Sequence, residues 1–191
     1  MENIHIYDNF LKNDELSYVL EYINANNYWG FGHSSGSSEY IDTKFFSKTN
    51  MSEYFFEFIK HKIEKTVCDT VSSSYTSNNK SIVGRNQLKL VRNYMHIQTF
   101  GQDGAYHIDS SEDSDTAYTF CIYFTELNDQ EVENSKGEFF IKIPNTLCVV
   151  SIDTYSNRGI FFPSIYRHKG MAYNRFVSTK RLCITWKLEF Q

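Results

Sequence analysis

From Gln87 onward, no stretch of the chain repeats its apolar residues at the three- and four-residue spacing of an amphipathic helix. What replaces that spacing is alternation. Leu88 and Leu90, then Tyr94, His96, Gln98 and Phe100, read as one long strand with a change of register along it. Short apolar or alternating runs follow at 105–109, 117–125, 137–143, 147–152, 159–162, near His168 and at 181–190, separated by Gly, Asn, Asp and Ser turns. About eight strands at such short spacing can close only as a β-sandwich, barrel or jelly roll. Composition agrees: 14 Tyr, 16 Phe and 2 Trp in 191 residues favour strands over helices.

The first half is mixed. Ile4, Ile6 and Phe10 suggest a short strand, and Asn13 or Asp14 can cap a helix carrying Leu16, Val19, Leu20 and Ile23 on one face. The stretch from Gly30 to Ser38 is a flexible loop by composition. A second helix is expected over 52–68, with Phe55, Phe56, Ile59, Ile63 and Val67 on one side, ending near the polar segment 72–80. The expectation is a mainly β, α+β chain forming one domain over 1–191: N-terminal helical support over 1–86, packed on one sheet, and a β core over 87–191.

No apolar run reaches the ~20 residues that span a bilayer, so no membrane contact is expected. The opening Met1-Glu-Asn-Ile-His-Ile-Tyr-Asp8 has acids and no basic region, unlike a secretory signal. Cys68, Cys121, Cys148 and Cys183 are widely spaced, and the last three sit in apolar runs, as buried free thiols do. A reducing cytoplasm is the expected setting. The net charge of −4 argues against a nucleic-acid binder. Charge is unevenly spread. Asp109 to Glu138 carries many acids and only Lys136, whereas Thr154 to Leu188 carries seven bases and no acid, a stretch that could surround an anionic small molecule.

The chemistry concentrates in Gly101-Gln-Asp-Gly-Ala-Tyr-His107-Ile-Asp109. In an extended strand, His-x-Asp puts both side chains on one face. His168 lies in the acid-free stretch, and Arg181 heads the apolar strand Arg181-Leu-Cys-Ile-Thr-Trp-Lys-Leu. A guanidinium entering a core needs an anionic partner. Two His and one Asp are the facial triad of non-haem Fe(II) oxygenases, and an Arg fork grips a carboxylate with two hydrogen bonds.

The run Arg92-Asn-Tyr94-Met-His-Ile-Gln-Thr-Phe-Gly101-Gln-Asp-Gly-Ala-Tyr-His107-Ile-Asp109 resembles the iron-binding half of Fe(II)/2-oxoglutarate-dependent oxygenases of the prolyl 4-hydroxylase type. His168-Lys-Gly-Met-Ala-Tyr-Asn-Arg-Phe-Val-Ser-Thr-Lys-Arg181 resembles that family's distal histidine and co-substrate arginine. Cys121-Ile-Tyr-Phe-Thr and Gly137-Glu-Phe are similar to its intervening strands, with one glycine left of the usual Gly-Gly-Glu, and 6–16 is similar to its N-terminal strand and helix. The resemblance implies a double-stranded β-helix, a jelly-roll or cupin-like barrel with a metal near one mouth. It implies Fe(II) on His107, Asp109 and His168, and the distal carboxylate of 2-oxoglutarate on Arg181. Tyr94, His96 and Gln98 share one strand face and are co-substrate candidates, with the family's tyrosine contact falling to Tyr94. Phe124 stands where some relatives carry a second tyrosine, and Cys183 where others carry Ser or Thr.

The implied reaction hydroxylates a substrate C–H bond with O₂ while 2-oxoglutarate is decarboxylated to succinate, with ascorbate as a reductant. A prolyl residue in a peptide or protein is the nearest analogy. A free amino acid or other small molecule is the alternative substrate, and a non-catalytic jelly-roll binding module is the alternative of another class. His5, His33 and His61 read as surface or loop histidines, although the loop holding His33 could lie over the site. Arg175 and the acids Glu112, Asp113 and Asp115 read first as solvated loop residues that could meet a substrate.

Overall fold

Strand β10 (Arg181–Phe190) fixes the architecture, because it lies between the two longest partners it could have. It pairs antiparallel with β4 (Leu88–Gln98) on one side and β5 (Ala117–Phe124) on the other. The computed structural model describes residues 3–25, 28–34, 43–49, 53–74, 88–110 and 116–190. The remaining strands are β1 (His5–Tyr7), β2 (Gly30–His33), β3 (Phe45–Thr49), β6 (Phe139–Lys142), β7 (Val149–Ile152), β8 (Gly159–Pro163) and β9 (His168–Gly170). The helices are α1 (Asn13–Ala25), α2 (Glu53–Ser74) and α3 (Asp129–Asn134). A seven-stranded antiparallel sheet runs β1-β8-β5-β10-β4-β3-β2, and a three-stranded sheet runs β7-β6-β9. These two antiparallel sheets form a double-stranded β-helix, as expected.

Alternation divides the large sheet into two faces. On one face Met95, Ile97, Phe120, Ile122, Phe124, Ile184, Trp186 and Leu188 are buried against Val19 and Ile23 of α1 and Phe55, Ile59 and Ile63 of α2. The N-terminal helices therefore cover one sheet. On the other face Cys121, Tyr123, Ile160, Phe162 and Cys183 meet Phe139, Ile141 and Ile152 of the small sheet. The core is split by the large sheet into a helix-side half and an inter-sheet half, and the inter-sheet half holds the site.

The expected register change in β4 is real. Lys187 lies opposite Arg92 but Leu188 lies opposite Leu90, so Val91 is an extra residue, and it is 61% exposed. The bulge returns Leu88 and Leu90 to the helix-side core while Arg92 keeps to the face of Tyr94, His96 and Gln98.

Some expectations change. Residues 1–86 supply three strands to the large sheet, beyond the helical support expected of them. The segment from Gly30 was expected to be a loop, yet its first four residues form edge strand β2; Ser35 to Ser38 lie outside the described residues. The expected strand at 105–109 is only an isolated bridge between His107 and His168. Cys148 is exposed rather than buried, because β7 starts one residue later and the turn before it leaves Leu147 fully exposed. The side chains of Phe56, Val67 and Cys68, the segment 75–80, and Glu112, Asp113 and Asp115 lie outside what is described. Among the described residues no helix is long and apolar enough to cross a membrane.

Candidate metal and co-substrate site

The two histidines of the candidate centre are joined through the backbone. His107 N–H donates to the His168 carbonyl at 3.1 Å, and His168 N–H donates to the His107 carbonyl at 2.9 Å. Asp109 N–H reaches the Ser164 carbonyl at 2.8 Å, which brings its side chain round to both rings. His107, Asp109 and His168 each then offer a ligand atom, all within 4.8 Å of one another.

The protonation pattern prepares these atoms for a cation. His107 Nδ1 lies 3.0 Å from the Ala105 carbonyl, and His168 Nδ1 lies 2.8 Å from the Tyr166 carbonyl. A carbonyl can only accept, so both Nδ1 atoms carry the proton and, in the neutral rings, both Nε2 atoms present lone pairs. Those Nε2 atoms face Asp109 Oδ1 and Oδ2 at 3.4 Å each. Three sets of lone pairs thus converge with no proton of their own between them, an arrangement that a metal cation satisfies. The ring of His168 is held edge-on by Phe162 at 4.8 Å and tilted against Phe139 at 5.5 Å.

The Asp109 side chain is 1% exposed and heavily supported. Thr119 Oγ1 donates to Oδ2 at 2.9 Å and is itself bonded to Ser164 Oγ at 2.9 Å; Lys187 Nζ donates to Oδ1 at 2.7 Å. Burial acts to raise the carboxyl's pKa, but its contacts with the His107 and His168 rings and the charge of Lys187 outweigh it. They hold Asp109 well below the usual carboxylate range.

The triad borders a cavity of about 280 Å³ whose wall also includes Tyr94, His96, Gln98 and Arg181, the four residues expected at the co-substrate. Arg181 is 1% exposed. Its Nε donates to the Gly137 carbonyl at 2.9 Å, its Nη1 to Gln98 Oε1 at 2.6 Å, and its guanidinium lies 4.6 Å from the Tyr123 ring centroid. Nη2 has no partner, and no carboxylate pairs with this cation among the described residues. A buried guanidinium left with a free N–H on a cavity wall is a receptor for an anion. Gln98 also donates to the carbonyls of Gln102 at 2.6 Å and Gly170 at 3.3 Å, so its amide positions the guanidinium. His96 is driven well below the usual histidine range by burial and then by the Arg181 charge, and stands in the wall as a neutral ring. Tyr94 is held as a neutral phenol, first by burial and then by Asp109.

Alternation corrects one expectation. Phe124 packs in the helix-side core, and the aromatic of that strand which faces the cavity is Tyr123. His33 is half-buried on β2, with its ring 5.1 Å from Tyr94 and 5.1 Å from Phe45, so it is a cavity wall and not a loop residue. His5 and His61 lie away from the cavity, and Arg175 is exposed against Phe176. Thr119, Ser164 and Lys187 were not anticipated. Lys187 could have been found, since it stands six residues after Arg181 on the same face of one strand.

No protein-family profile matches the chain, and no curated protein does. Solved structures do match. An oxidoreductase of the 2OG-Fe(II) oxygenase family from Burkholderia pseudomallei superposes with a TM-score of 0.71 at 9% identity, over 98% of this chain and 85% of that one. A prolyl hydroxylase from Trichoplax adhaerens, in complex with a hypoxia inducible factor oxygen degradation domain peptide fragment, gives 0.65 at 18% identity over 99% and 84%. A prolyl-4-hydroxylase from Pseudomonas putida gives 0.64 at 12% identity over 99% and 93%. With its two sheets, its converging His107, Asp109 and His168 and its buried Arg181, the chain has the double-stranded β-helix fold of the 2-oxoglutarate/iron oxygenases and prolyl 4-hydroxylases.

Proposed function

We propose that the protein is an Fe(II)- and 2-oxoglutarate-dependent dioxygenase that hydroxylates a substrate C–H bond, with a prolyl residue of a peptide or protein as the nearest analogy among the structures it resembles. The observation that carries this reading is that one cavity holds both a cation receptor and an anion receptor. His107, Asp109 and His168 turn lone pairs toward one another, and Arg181, whose Nη2 no protein group among the described residues satisfies, lines the same cavity.

When bound, Fe(II) and 2-oxoglutarate supply the oxidising chemistry, with O₂ consumed and succinate and CO₂ released. The chain's own residues set the geometry. His107 and His168 hold the metal through Nε2 because their Nδ1 protons are tied to carbonyls. Asp109 stays ionised, keeping one negative charge on the metal. Arg181, fixed by Gly137 and Gln98, receives the distal carboxylate, and Tyr94 and His96 wall the co-substrate without adding charge.

The protein with Fe(II) and 2-oxoglutarate under anaerobic conditions is expected to show the weak visible band of the chelate, and to release succinate once O₂ is admitted. Metal-replete protein showing neither defeats the oxygenase reading. Arg181→Ala is expected to weaken 2-oxoglutarate binding by at least about a hundredfold, since it removes a buried charged donor, while leaving metal affinity nearly intact. Equal loss of both indicates misfolding instead. Mass gain of one oxygen on a panel of prolyl peptides and free amino acids separates the two substrate readings.

A further inference from the structure

Beyond the triad and Arg181, the cavity carries two more cations that the reaction above does not use. Arg92 and Lys187 lie directly opposite each other in the β4–β10 ladder, on the cavity face. Arg181 lies at the other end of the same ladder, opposite Gln98. The guanidinium of Arg92 sits 4.7 Å from the Tyr94 ring centroid and Lys187 Nζ sits 6.0 Å from it, so one aromatic ring is flanked by both charges.

Both cations keep donors that no protein group among the described residues takes. Lys187 is 18% exposed and spends one N–H on Asp109 Oδ1, which leaves two. Arg92 is exposed to solvent and makes no hydrogen bond and no ion pair among the described residues, only the ring contact, so its guanidinium stands at the cavity mouth free to take a ligand. The acidic and strongly basic side chains lining the cavity are Arg92, Arg181, Lys187 and Asp109, three cations against one carboxylate. Fe(II) and doubly ionised 2-oxoglutarate cancel each other, so the excess remains after both are bound. Cationic side chains lining one end of a cavity focus the local field and favour an anionic occupant over a neutral one. The position is close to the metal: the Oδ1 that Lys187 holds is the oxygen 3.4 Å from His107 Nε2.

We infer that the substrate carries a carboxylate close to its reacting carbon, and that this carboxylate seats on Arg92 and Lys187, at the end of the cavity opposite the Arg181 anchor. The inference rests on the oxygenase reading and narrows its substrate class. A free amino acid supplies such a group as its own α-carboxylate; a peptide supplies it as an acidic neighbour of the target residue. A prolyl peptide with neutral flanks does not.

The test is equilibrium binding to the full chain saturated with Mn(II), a redox-inert stand-in, and 2-oxoglutarate. Two arms are compared: free amino acids, proline included, against their carboxamides, and short prolyl peptides with Asp beside Pro against the same peptides with Asn. In at least one arm the carboxylate member is expected to bind about tenfold or more tightly than its amide partner, and the arm that discriminates identifies the source. Arg92→Gln is expected to abolish that preference and Arg92→Lys to restore part of it, with 2-oxoglutarate affinity unchanged in both. Lys187→Met should also reduce it. Carboxylate and amide binding equally, no binding in either arm, or a preference that survives Arg92→Gln each overturns the inference. Loss of 2-oxoglutarate binding and of succinate release in the unmodified protein overturns the oxygenase reading itself, so the two failures are told apart.

Discussion

At the residue scale, the site depends on residues that offer no ligand atom yet decide where the site atoms point. Thr119 is the clearest. Its hydroxyl bridges Asp109 Oδ2 and Ser164 Oγ, and replacing it by the isosteric valine removes both bonds without changing the volume. Thr119→Val is expected to weaken metal binding roughly tenfold to a hundredfold, as read by competition with a chelator. Gly170 works by absence. A Cβ placed there would lie 3.0 Å from Arg181 Nη2 and 3.1 Å from Nη1. Gly170→Ala should therefore displace the guanidinium and raise the 2-oxoglutarate dissociation constant about tenfold, with metal affinity unaffected. His107, Asp109, His168 and Arg181 were legible in the sequence because order and residue type carry them. Thr119 was not, because its role appears only once strand pairing sets it across from Lys187 and beside Asp109; the six-residue spacing from Arg181 placed Lys187 on the right face but not against Asp109.

At the element scale, the bulge in β4 lets one strand serve two masters. Regular alternation through Val91 would put Leu88 and Leu90 on the cavity face with Arg92; the extra residue sends them to the helix-side core. Deleting Val91 regularises the ladder and keeps every neighbour on its present face, so stability should fall by no more than about 1 kcal/mol. Deleting Asn93, which is 8% exposed, instead turns Arg92 toward the helix-side core and should cost several kcal/mol in denaturant unfolding. The long strands and both long helices were readable because their apolar periods run for many residues. Edge strand β2 and its neighbour β3 were not: β2 is four residues with two glycines, pairs on one side only, and resembles a loop in composition. The segment 105–109 erred the other way, since it alternates like a strand but meets a partner only at the His107–His168 bridge.

At the scale of the whole molecule, the N-terminal elements are fastened to the β core at Asn157. Its side chain accepts from Leu11 N–H at 2.8 Å and donates to the Leu11 carbonyl at 2.8 Å, bonds that span 146 residues of sequence, and its backbone sits at φ 61°. Asn157→Ala loses both buried bonds and the residue type that tolerates that backbone, and should destabilise the protein by about 2–4 kcal/mol, lowering the thermal midpoint without changing ligand affinities. The mainly β class and the helix-on-sheet packing were legible from periodicity, but this fastening was not, since a lone asparagine in a turn announces no partner 146 residues away. The ladder from Arg181 to Lys187 has a further consequence. Both charged ends of the cavity ride on one central strand, six residues apart and roughly 20 Å along the backbone, with hydrogen-bonded neighbours on each side. The strand is a rigid ruler: no loop movement can lengthen or shorten the span between its two cationic ends. Between those ends the same strand presents Cys183 and Thr185 to the cavity, so exchanges there change what lies along the ruler while its length stays fixed.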